Sequence, residues 1–230
     1  MTDNVYTYNS QGTLVSADER NKVLRNTYWL LALSLLPTVA GAWLGVVTGI
    51  AQGLTGFMGL IVFMGGAFGF MWAIEKNKNS AAGVPILLAF TFFMGVMLSR
   101  MIAMVLGKAN GAELIMTAFG GTAGVFFVMA SLASVIKRDL SGMGKWLFVG
   151  ALAIMIGGII NVFVGSPVGM MVISVMAIGI FSAFMLYDLK RIIDGGETNY
   201  ISATLALYLS IFNVFQSLLA LLGLTGGSSD

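Results

Sequence analysis

Seven apolar runs, separated by short polar breaks, set the pattern of this chain. They fall near Thr27–Val47, Leu54–Ile74, Val84–Leu106, Glu113–Ile136, Trp146–Val164, Pro167–Leu189 and Ile201–Leu222. A helix rises ~1.5 Å per residue and a bilayer core is ~30 Å thick, so each run is long enough to cross. The shortest break, Gly165-Ser166-Pro167, predicts a tight helical hairpin between runs five and six. Pro37 predicts a kink in the first span. Ahead of that span, Ser16-Ala-Asp-Glu19 has the S-x-x-E spacing of a capping box and predicts a helix start.

The last run differs from the others. It carries Ser210, Asn213 and Ser217 at helical spacing, with Tyr208 and Gln216 beside them. Residues at i, i+3 and i+7 share one helix face, and polar groups in lipid turn toward protein or water. The stripe therefore predicts that the seventh helix sits inside the bundle.

Composition narrows the class. Of 230 residues, 58% are hydrophobic and 10% charged, against roughly 25% charged in a soluble domain. The expectation is an all-α integral membrane protein, a seven-transmembrane-helix bundle with the last helix central. Residues 1–26 form a tail, flexible and then helical; residues 27–222 form the membrane domain; residues 223–230 form a short second tail. No apolar block lies near the start, so a cleavable signal peptide is not expected.

Charge gives an orientation. Arg20, Lys22 and Arg25 precede span one, Lys76 and Lys78 follow span two, Lys137, Arg138 and Lys145 follow span four, and Lys190 and Arg191 follow span six. The alternate loops hold only Lys108. By the positive-inside rule the N-terminus is cytoplasmic and the C-terminus is outside.

Candidate chemistry is sparse. The chain has no cysteine and no histidine, which removes thiol chemistry, imidazole ligands and Ser–His or Cys–His pairs. Asp188, at the end of span six, reads either as a gate carboxylate or as a solvated end charge paired with Lys190 or Arg191. Arg100 lies ~24 Å into span three, on the side where Glu113 opens span four. The two read either as an ion pair closing the outer mouth or as separate interfacial anchors. Glu75, beside Lys76 and Lys78, reads as a solvated end charge. Asn161, Ser210, Asn213, Gln216 and Ser217 line a polar path or make interhelical hydrogen bonds, each worth ~1 kcal/mol or less. Gly195-Gly196 predicts a helix stop and a tight turn. Gly41-xxx-Gly45, Gly65-xxx-Gly69 and Gly120-xxx-Gly124 predict close helix packing within the monomer, with a dimer face as the alternative. No cofactor, metal site, nucleic-acid partner or enzymatic activity is expected.

Three stretches carry a resemblance: Lys22-Val-Leu-Arg-Asn-Thr-Tyr28, Gly195-Gly-Glu-Thr-Asn-Tyr-Ile201 and Ala206-Leu-Tyr-Leu-Ser-Ile-Phe-Asn-Val-Phe215. Over residues 20–224 the chain resembles the Bax inhibitor-1 family, and within it a bacterial branch. The resemblance implies a seventh helix enclosed by the other six. It also implies, for some members, a pH-sensitive calcium leak gated by two carboxylates that share a proton. Asp188 stands at the first of these positions; the second is Ser210, so the pair is incomplete. For the bacterial branch the resemblance implies an inner-membrane protein that binds and restrains a membrane-anchored AAA protease of the FtsH type. The tail, with Asp3, Asn4, Tyr6 and Tyr8, would then be the segment such a protease grips.

Overall fold

The computed structural model describes residues 6–8, 14–53 and 56–226. Seven helices there are long and apolar enough to cross a membrane. They are α1 (Ala17–Thr48), α2 (Gly56–Asn77), α3 (Gly83–Leu106), α4 (Gly111–Val135), α5 (Met143–Val164), α6 (Pro167–Ile193) and α7 (Tyr200–Thr225). The end of the bundle that holds the start of α1 and the α2–α3, α4–α5 and α6–α7 loops is called here the basic end.

The first helix starts where its capping chemistry predicts. Ser16 Oγ accepts from the Glu19 backbone N–H at 3.2 Å, and Glu19 returns a carboxylate oxygen to the Ser16 N–H at 3.2 Å. The helix then runs through Pro37 as one element of 32 residues, ~48 Å long and well beyond a bilayer core. Ahead of it, two short strands lie among the described residues. Strands β1 (Tyr6–Tyr8) and β2 (Leu14–Ser16) pair antiparallel, Tyr6 opposite Ser16 and Tyr8 opposite Leu14.

Close packing of α1 on α3 rests on glycine. A Cβ on Gly41 would lie 2.2 Å from the Phe92 carbonyl oxygen, and one on Gly95 would lie 2.1 Å from the Thr38 carbonyl oxygen. Gly45 faces Ser99 Oγ in the same way, at 2.3 Å. Without side chains between them the backbones touch, which is how helices associate in lipid. The other two glycine pairs do not repeat this. Gly65, Gly69, Gly120 and Gly124 are exposed, with open space where a Cβ would stand. Intramolecular packing thus explains one pair of the three, because only that pair faces a neighbouring helix.

The seventh helix is the most buried of the set. It packs on α6, α4, α1, α3 and α2, while α5 packs on α6. Enclosure by all six neighbours, as the resemblance implies, is therefore reduced to five, with α5 on the periphery. The α5–α6 hairpin has the predicted tightness. Gly165 takes φ +66 and donates its N–H to Asn161 O at 2.8 Å, Ser166 caps α6, and Pro167 occupies its first turn. Asn161 stands at this turn, its amide oxygen 2.7 Å from where a Cβ on Gly169 would lie.

Around α7 the core is apolar with a few polar ties. Leu30, Leu87, Phe90, Met94, Leu207 and Tyr208 belong to one buried cluster. Tyr208 packs its ring against Phe90 and Phe212. Its hydroxyl lies 2.9 Å from Thr38 Oγ1 on α1 and 3.4 Å from Thr91 O on α3.

Candidate functional site

A network of polar contacts lies at the basic end, where α6 turns into α7. Gly195 takes φ +79, the left-handed conformation that a side chain resists. Its N–H bonds Ile192 O at 3.1 Å, and the Gly196 N–H bonds Arg191 O at 2.8 Å. These are the two bonds of a Schellman motif, the predicted helix stop. Glu197 then folds back. One carboxylate oxygen meets Arg191 at 3.0 Å and the other accepts from the Asn199 N–H at 3.0 Å.

Asn199 faces two ways. Its amide oxygen accepts from the Ile201 and Ser202 N–H groups at 2.9 and 3.1 Å, capping α7. Its amide nitrogen donates to Lys78 O at 3.1 Å and Asn79 Oδ1 at 2.8 Å in the α2–α3 loop. Glu75 pairs with Lys78 and accepts from Ser202 Oγ at 3.2 Å. It is an exposed end charge, as predicted, but it also ties α2 to α7. The segment Gly195–Ile201 is thus a clasp that fixes the start of the central helix to a loop more than a hundred residues earlier.

Asp188 lies on α6, ahead of this clasp in the chain. The pairing with Lys190 or Arg191 is not made. Lys190 bonds Asp194 at 2.5 Å, and Arg191 is held by Glu197. Among the described residues Asp188 has no ion-pair partner. Opposite, Arg20 of α1 donates from Nη1 to Ile193 O at 3.3 Å, at the carbonyl end of α6. A cation is favoured there by the orphan carbonyls and the helix dipole.

The other predicted site residues fall apart from this end. Ser210 is buried, 3% exposed, in the middle of α7. Asn213 donates its amide to Leu209 O of its own helix at 2.8 Å, so that donor is not spent between helices. Arg100 and Glu113 are both exposed and form no ion pair among the described residues. Arg100 borders a shallow depression with Gln52, Ala103 and Met104. Asp3 and Asn4 lie outside the described residues; Tyr6 and Tyr8 lie in β1. Among the described residues no group of three or more acidic, histidine or cysteine side chains is placed to hold a metal ion, so the calcium expectation finds no ligand cluster here.

Sequence reasoning missed Arg20, the double role of Asn199 and the Tyr208–Thr38 tie. Only Asn199 had a local signal, as a cap-type residue just before an apolar run.

Known proteins are similar to this chain over most of its length. A family profile described as inhibitor of apoptosis-promoting Bax1 matches residues 20–227. The Modulator of FtsH protease YccA of Escherichia coli is 37% identical over 203 residues, 88% of this chain and 90% of that protein. An uncharacterised protein of Neisseria meningitidis is 36% identical over 96% of this chain and 97% of its own length. One of Pseudomonas aeruginosa is 35% identical, with the same coverage.

Proposed function

The chain belongs to the Bax inhibitor-1 family, and from that premise we propose that it binds and restrains a membrane-anchored AAA protease of the FtsH type. The observation that carries this reading is the similarity, across nearly the whole chain, to a protein named as a modulator of that protease. The protein acts in the inner membrane with its basic end in the cytoplasm. Its role is contact, with no catalysis of its own.

The mechanism follows from mechanical contrast. An ATP-driven protease starts at a chain end. Here the N-terminal segment leads directly into α1, and α1 is hard to extract. Its start is pinned by Arg20 to α6, and its middle is locked on α3 through Gly41 and Gly95. A protease that grips residues 1–15, including Asp3, Asn4, Tyr6 and Tyr8, meets that resistance and is held up as by a slow substrate.

The test compares the full chain with one lacking residues 2–15, each captured from mild-detergent membranes and probed for the protease. Tail-dependent capture, with a longer half-life for the shortened chain, supports the mechanism. Capture that ignores the tail moves the contact to the loops or bundle. No capture of either form overturns the reading.

A second reading, a pH-sensitive calcium leak gated at Asp188, has one observation in its favour. That carboxylate stands about two helical turns ahead of the clasp, without an ion-pair partner among the described residues. Dye-loaded liposomes test it: flux above that of empty liposomes, altered by Asp188→Asn, supports the leak, and flux equal to empty liposomes removes it.

A further inference from the structure

No further inference is drawn: the strongest candidate, the exposed face of α4 along which Gly120, Gly124, Ser131 and Ser134 line up, rests on a stripe of small residues alone, and nothing in the structure shows what covers it.

Discussion

Tyr208 on the central helix and Thr38 on the first helix bring their hydroxyl oxygens to 2.9 Å. Thr38 donates its own proton to Ser34 O at 2.8 Å, so Thr38 is the acceptor and Tyr208 the donor. Tyr208 has a single proton to give, and the shorter contact takes it ahead of Thr91 O at 3.4 Å. Removing the hydroxyl with Tyr208→Phe leaves no orphaned donor, so the loss should be modest, about 1 kcal/mol or less. A double-mutant cycle with Thr38→Val, read by unfolding in mixed micelles, should show that this loss is shared by the pair. Fully additive losses would mean the two groups do not interact.

Gly41 and Gly95 should tolerate change far less than Gly65 or Gly120. Alanine at either of the first two forces a methyl group into a backbone carbonyl at 2.2 or 2.1 Å, which moves α1 off α3. A loss of about 2 kcal/mol or more is expected, at the upper end for point changes. Gly65→Ala and Gly120→Ala meet open space and gain helix propensity, so they should be neutral or slightly stabilising. Melting midpoints of the four variants in one detergent give the comparison.

The α6–α7 clasp predicts a protease-sensitivity phenotype. Asn199→Ala removes both the α7 cap and the tie to the α2–α3 loop, for a cost of about 1 kcal/mol or somewhat more. Cleavage by trypsin at Lys190 and Arg191 should become faster, while cleavage at Lys137 and Arg138 stays constant. Equal acceleration at both loops would point to global loosening instead.

In the α4–α5 loop, Asp139 accepts from the Ser141 N–H and hydroxyl, both at 2.8 Å. These bonds hold its carboxyl below the ordinary aspartate range. A depressed folded-state value means the loop turn is stabilised above that range and loses the contribution as pH falls through the folded value. Ser141→Ala should raise the Asp139 titration midpoint toward the ordinary range, measured by carboxyl-carbon NMR shifts. An unmoved midpoint would mean the hydroxyl bond has no share in the effect.

Local chemistry was the legible part of the sequence. The capping box at Ser16, the stop at Gly195 and the hairpin at Gly165 each need only a few neighbouring residues. All three stand where those residues predict. Helix ends moved by a few residues because polar first and last turns continue a helix past its apolar core. Pairings between distant helices left no such mark. Arg20 meets a carbonyl 173 positions away, and Thr38 a hydroxyl 170 positions away. Gly95, a lone glycine without an i+4 partner, gave no pattern to match with Gly41. The stripe on α7 did announce burial at Ser210 and Ser217. It did not reveal that Asn213 would satisfy its amide within its own helix, since an inward-facing asparagine has the same spacing whichever carbonyl it finds.

The helix at the centre of this bundle is also the last of the seven to leave the ribosome. Until residues 200–225 have been made, α1, α3, α4 and α6 can be inserted but have nothing to close around. The faces that bury Tyr208, Leu207 and Phe212 in the finished protein would open onto one another or onto lipid. Closure of the core waits for the synthesis of α7. A message truncated ahead of Tyr200 yields a six-helix shell with an empty axis, never a smaller working bundle.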